Sequence, residues 1–309
     1  MKRRELTMAA GVVLLVVALA LALGACSSSG SSNSAKPSSG NGSSAATKTR
    51  PQITVEAQEY GFVLPSEIPA GWVDVTIHDR GQQGHQIAFV KLGSMTYAAF
   101  KARLATSNLK DLPADTVFAG GPNNAGPGES VTATVHLEPG AYGVACFIPD
   151  DKDGKSHAEH GMVAQVQVAS TAQSTEEAPA VSGGTLSLSE FTFVPDASFT
   201  GKGVVKFDNV GVQVHEAIIM KINAGKTLSD VKSYFLTPPG TPPPSGPPPF
   251  TTAGGIVGLG PHQTMYQTLA LTPGKYALLC FFPDPTKPSV GGQAFPHALE
   301  GMVKEISIS

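Results

Sequence analysis

Two stretches decide how this chain is read: Tyr142–Met162, YGVACFIPDDKDGKSHAEHGM, and Tyr276–Met302, YALLCFFPDPTKPSVGGQAFPHALEGM. In each, a cysteine stands four residues after a tyrosine, and a methionine stands five residues after a histidine. The chain has only 3 cysteines in 309 residues, so their placement carries information. A single cysteine at a strand end reads as a small buried hydrophobe. Two of them, each followed by a matching His and Met, ask for another reason. The match also extends outward. Upstream, DRGQQGH (79–85) pairs with NVGVQVH (209–215), and LEPGAYGVAC (137–146) pairs with LTPGKYALLC (271–280). Downstream, MVAQVQV (162–168) pairs with MVKEISIS (302–309). The same elements recur in the same order, which is the mark of an internal duplication.

Each half reads as a run of strands. QITVEAQEYGFV, TLSLSEFTFVP, VDVTIHD and GVVKFDN alternate apolar and polar residues, as half-buried strands do. The 34 glycines and 25 prolines punctuate short β-branched runs, and Pro139-Gly140 and Pro273-Gly274 turn the chain into the strand that precedes each cysteine. The expected fold class is all-β: two β-sandwich domains in tandem, over 51–168 and 184–309, with a polar linker at 169–183. TYAAFKARLATS and TLSDVKSYF are the helical candidates. The Pro-rich stretch at 237–250 reads as a stiff surface spacer.

The first residues read as an export signal over 1–25, with the basic MKRREL followed by an uncharged apolar run. That run ends in LGAC, a pattern that resembles the lipobox of bacterial lipoproteins. The resemblance implies cleavage before Cys26 and lipidation of its thiol, hence attachment to the membrane through that lipid. An uncleaved anchor helix is the other reading of the same run. Residues 26–50 are Ser/Gly-rich and read as a flexible tether. The folded part is therefore expected outside the cytoplasm, held at the outer face of the cell membrane. With 21 Lys+Arg against 24 Asp+Glu and a net charge of −3, no basic surface for nucleic acid is expected.

Aligning the halves yields two parallel sets: His85, Cys146, His157 and Met162, and His215, Cys280, His297 and Met302. Two imidazoles, a thiolate and a thioether are the ligands of a blue-copper centre, where His, His and Cys lie in a plane with a weak axial Met. Each half resembles the cupredoxins of the plastocyanin and azurin kind, on the NVGVQVH, PGKYALLC and HALEGM motifs and their first-half counterparts. That resemblance implies a Greek-key sandwich with one ligand from an inner strand and three from the last loop region. It also implies one type 1-like copper per domain and a redox partner protein. The chain departs from the pattern in its long Cys-to-His segments, which are expected to bulge outward and to hold His157 and His297 less firmly.

Several alternatives stand beside this. Cys146 and Cys280 could pair as a disulfide, and Met162 and Met302 could serve the core as well as a metal. Phe147, Phe281 and Phe282 are expected to shield the site or fill the core. His160, His78, His136 and His262 read as surface or loop residues. The function expected is membrane-tethered electron transfer. A copper storage or delivery lipoprotein and a copper-free binding module of the cell envelope are the alternatives. The chain contains no His-x-His pair of the kind that multicopper oxidases need, so an enzyme is not expected.

Overall fold

The computed structural model describes residues 50–107, 109, 112–170, 177–236, 246–288 and 295–309. The export signal, Cys26, nearly all of the tether, 171–176 of the linker and 237–245 of the Pro-rich stretch lie outside the described residues. The first half holds β1 (Gln52–Gln58), β2 (Gly61–Val63), β3 (Glu67–Ile68), β4 (Gly71–Asp79), β5 (Ala88–Lys91), α1 (Tyr97–Leu104), β6 (Val117–Gly120), β7 (Ser130–Leu137), β8 (Gly140–Ala145) and β9 (Val163–Val168). The second repeats this plan as β10 (Thr185–Ser189), β11 (Thr192–Pro195), β12 (Lys202–Asn209), β13 (His215–Ile222), α2 (Leu228–Phe235), β14 (Phe250–Leu259), β15 (Thr264–Ala270), β16 (Gly274–Leu279) and β17 (Val303–Ile308). The fold is all-β, and both α-helices fall where the sequence places them, while a 3-10 turn at His297–Glu300 is not among the expected elements.

One refinement concerns the first strand of each half. QITVEAQEYGFV is a hairpin, with β1 turning at Glu59-Tyr60 so that Glu56 faces Val63. TLSLSEFTFVP turns likewise at Glu190-Phe191, pairing Leu188 with Phe193. The apolar alternation runs straight through both turns, so periodicity does not mark them. Each turn carries a glutamate toward a candidate site.

The strands form two layers. One sheet has the order β11-β10-β12-β15-β7-β4-β1-β2, and the other β17-β16-β13-β14-β6-β5-β8-β9-β3. Alternate residues of β4, Val73, Val75 and Ile77, point into a common core, where they meet Phe89, Val144 and Val166 from the other layer. The same core takes in Leu186, Val205, Phe207, Ile219 and Leu278 of the second half. The halves are joined edge to edge within both sheets: β7 pairs with β15, and β6 with β14. Phe118 meets Phe282 at 5.0 Å and Trp72 meets Tyr266 at 5.2 Å across this junction. Neither half leaves its β6/β7 or β14/β15 edge open, so the duplication closes strand edges that a lone half would present to solvent.

Two glycines set how near the strands come to the histidine-bearing strands. A Cβ on Gly121 would lie 1.9 Å from the Ile87 carbonyl oxygen, and one on Gly255 would lie 2.0 Å from that of Ala217. Both have positive φ. Ile87 and Ala217 each stand two residues after His85 and His215, so these contacts fix the backbone that carries those two histidines.

Candidate metal centres

Backbone geometry delivers the four residues of each set to one place. His85 lies just before β5 and exchanges two backbone hydrogen bonds with Ala125, both 2.9 Å. His215 opens β13, opposite Leu259. Cys146 and Cys280 follow directly on β8 and β16, whose inner positions are buried.

The long Cys-to-His segments are pinched at the neck. Pro149 bridges to Ser156 and Pro283 to Pro296. Below the neck, His157 N donates to Ile148 O (2.9 Å), Ala158 N to Cys146 O (2.8 Å) and Met162 N to His157 O (2.9 Å). In the second half His297 N donates to Phe282 O (2.9 Å), Ala298 N to Cys280 O (2.8 Å) and Met302 N to His297 O (3.0 Å). The first excursion does bulge outward, with residues 151–155 exposed, while 289–294 of the second lie outside the described residues. The expectation of loosely held histidines is corrected, because the added residues lie beyond the neck and each histidine sits at its fixed base.

The side chains converge. His85 Nδ1 lies 3.1 Å from His157 Nδ1, and Cys146 Sγ lies 3.4 Å from His157 Nδ1 and 4.0 Å from His85 Nδ1. In the second half the Nδ1–Nδ1 distance between His215 and His297 is 3.1 Å, and Cys280 Sγ lies 3.4 Å from His297 Nδ1. One ligand atom from each member of either triad falls within 4.8 Å of the others. The two imidazole pairs are tilted by the same 55°. All six side chains are fully buried. Met162 and Met302 are buried too, and their carbonyls accept from the cysteine N–H groups at 3.3 Å. Cys146 and Cys280 are free, so the disulfide alternative falls away.

Burial dominates the electrostatics. It pushes the Cys146 thiol up to about 12 and the Cys280 thiol well above its ordinary value. It pulls His157 and His215 down, and His297 down to about 4, where the neighbouring His215 adds to the effect. These three imidazoles are neutral at pH 7.

The outer nitrogens differ between the halves. His215 Nε2 meets Glu190 Oε1 at 3.3 Å, and His297 Nε2 meets Gln213 Oε1 at 3.0 Å. With both Nε2–H groups donating outward, both Nδ1 lone pairs face inward beside the sulfur. The thiol proton can serve only one of these lone pairs, so the other faces it in a dry core with no donor unless a cation lies between them. The donor set and its geometry therefore fit a soft or borderline metal ion. In the first half Glu59 Oε1 stops 3.6 Å from His85 Nε2, and the Nε2 atoms of His85 and His157 have no hydrogen-bond partner among the described residues.

Sequence reasoning missed Glu59, Gln83, Glu190, Gln213 and the buried Glu216. Burial raises the Glu216 carboxyl to about 7, and its Oε1 accepts from Phe281 N at 2.8 Å. Gln83 and Gln213 align between the halves and stand two residues before a histidine, a signal the alignment contained. His160 stays outside the site, bonded through Nε2 to Asp153 (3.1 Å) and tilted against Tyr60. Phe282 is buried at the junction, while Phe147 and Phe281 pack half-buried against the cores.

No family model and no curated protein matches the chain. Among solved structures, it is similar to dithionite-reduced auracyanin from the photosynthetic bacterium Roseiflexus castenholzii, at 27% identity over 38% of this chain and 96% of that one, with a TM-score of 0.28. Auracyanin A, a "blue" copper protein from Chloroflexus aurantiacus, matches at 19% identity over 38% of this chain and 99% of that one, with a TM-score of 0.25. An azurin from Methylomonas sp. strain J matches at 14% identity over 39% and 99%, with a TM-score of 0.26.

Proposed function

We propose that this chain is a copper-binding electron-transfer protein with one mononuclear copper centre in each half. His85, Cys146 and His157 would hold the first ion, and His215, Cys280 and His297 the second. Met162 and Met302, buried in the same core, would supply the thioether ligands. The observation that carries the reading is the convergence of two Nδ1 atoms and one Sγ in each half, within 4.8 Å and fully buried. Bound copper supplies a one-electron couple between Cu(I) and Cu(II). The chain's own part is to keep water away and to present a ligand set whose geometry the surrounding β-structure fixes, so that little rearrangement accompanies a change in charge.

The proposal also places the folded part outside the cytoplasm, tethered through a lipid on Cys26 and exchanging electrons with a partner protein. Its basis is the LGAC motif and the Ser/Gly-rich stretch that follows. Replacing Cys26 by Ala is expected to release the protein from the membrane fraction, and unchanged fractionation would remove the lipid anchor.

The deciding experiment is titration of the metal-free protein with Cu(II). An intense visible band from thiolate-to-copper charge transfer should grow to two equivalents. Cys146→Ser and Cys280→Ser should each remove one. Tight Cu(I) binding with no visible band and no reversible couple would replace the electron carrier with a storage or delivery protein. No copper binding at all would leave the copper-free module.

A further inference from the structure

The ligand triads match to within a tenth of an ångström at the distances given for both halves, yet their surroundings do not. In the second half each outer Nε2 has an acceptor. Glu190 Oε1, held by Val212 N (2.6 Å) and Gln213 N (3.0 Å), faces His215 Nε2 at 3.3 Å, and its twin Glu59 Oε1, held by Gln82 N (2.6 Å) and Gln83 N (2.8 Å), faces His85 Nε2 at 3.6 Å, so the halves part at the second histidine. Gln213 turns its side-chain oxygen to His297.

In the first half the equivalent glutamine is engaged elsewhere. Gln83 Nε2 donates to Asp150 Oδ2 at 2.8 Å, and Gln83 Oε1 accepts from Asp151 N at 2.8 Å. The same Asp150 oxygen takes the Tyr60 hydroxyl at 2.6 Å. The second-half counterparts explain why this network has no twin there. Phe191 stands where Tyr60 does and has no hydroxyl. The aspartate equivalent to Asp150, Asp284, bonds Thr286 through its N–H (2.8 Å) and hydroxyl (2.7 Å). Tyr60 and Phe191 cover the same edge of the second histidine, at ring distances of 5.6 and 5.3 Å. The halves thus differ in which residue Gln83 or Gln213 serves, an aspartate or a histidine.

A histidine that binds metal through Nδ1 must carry its proton on Nε2. An acceptor fixed at Nε2 selects that tautomer and orients the ring, and loss of such a partner lowers metal affinity by about 10–100-fold. We propose that the two centres are inequivalent, with Gln213 acting as the positioning residue that gives the second-half centre the tighter hold on its ion. The proposal rests on the copper reading above.

The test uses the full chain with one centre removed at a time. Cys146→Ser leaves the second-half centre and Cys280→Ser the first. In competition with a Cu(I) chelator, the second-half centre should retain copper about 10–100-fold more tightly. Gln213→Ala in the Cys146→Ser background should lose most of that advantage without changing the unfolding midpoint of the metal-free protein, and Gln213→Glu, which keeps an acceptor, should restore it. Equal affinities, or the reverse order, overturn the proposal.

A second arm needs no metal. In the metal-free protein, imidazole nitrogen resonances should show His297 as the Nε2–H tautomer, and Gln213→Ala should abolish that preference. An unchanged spectrum overturns the positioning role. Copper binding by neither single-centre variant nor the unmodified chain overturns the copper reading, and the resonance arm still decides what Gln213 does.

Discussion

Burial keeps both site thiols protonated in the metal-free protein, with Cys146 pushed up to about 12. Metal binding requires the thiolate, so each ion that enters must displace one thiol proton. His157, His215 and His297 are already neutral at pH 7 and contribute no proton of their own. The sign follows: copper is expected to bind more tightly as pH rises. Between pH 7 and 9 the affinity of each centre should grow about tenfold per unit, one proton's worth, as measured by chelator competition at each pH. A pH-independent affinity would mean that the thiols are not ligands. The same burial predicts that Cys146 and Cys280 resist alkylation in the native metal-free protein and react once it is unfolded in urea.

At the scale of the element, the strand approaches at Gly121 and Gly255 deserve the sharpest test. An alanine at Gly255 would press its methyl into the Ala217 carbonyl at 2.0 Å, at a backbone φ of +119°. Gly225 also has positive φ, +75°, but a Cβ there meets nothing within 4 Å. Gly255→Ala should therefore lose about 1–3 kcal/mol more stability than Gly225→Ala in urea unfolding, since overpacking adds to the backbone strain. It should also weaken the second-half centre, because β13 begins at His215. Helix α2 gives a milder case. Thr227 and Asp230 form a reciprocal cap at its N-terminus, and Thr227→Ala should cost about 1 kcal/mol with no effect on copper binding.

Across the whole molecule, the paired strands β7–β15 and β6–β14 and the shared core couple the two halves. Unfolding of the metal-free protein is expected as one transition, coincident by fluorescence and by far-UV circular dichroism; two separated transitions would show the halves to be independent. The chain's single tryptophan is well placed to report it, since Trp72 packs edge-on against Tyr266 of the other half. Tyr266→Ala should shift the Trp72 emission to the red and lower stability by about 3 kcal/mol.

Much of this was legible from residues alone. Alternation marked the strands, Pro-Gly marked the turns into β8 and β16, and the duplication separated the converging histidine from a bystander: His157 aligns with His297, whereas His160 has no histidine counterpart and lies outside the cluster. Those features are local or repeated, so a sequence displays them directly. Tertiary structure alone decided the rest. Only folding places Glu190, 25 residues before His215 in the chain, at its Nε2, and only folding shows Gln83 diverted to Asp150 while its twin serves His297. Only folding joins the halves through both sheets, because strand pairing depends on which edges meet in space. The neck that fixes each histidine beneath its long excursion belongs here too: loop length is visible in sequence, but the Pro149–Ser156 and Pro283–Pro296 bridges that close it are backbone contacts that no residue pattern displays.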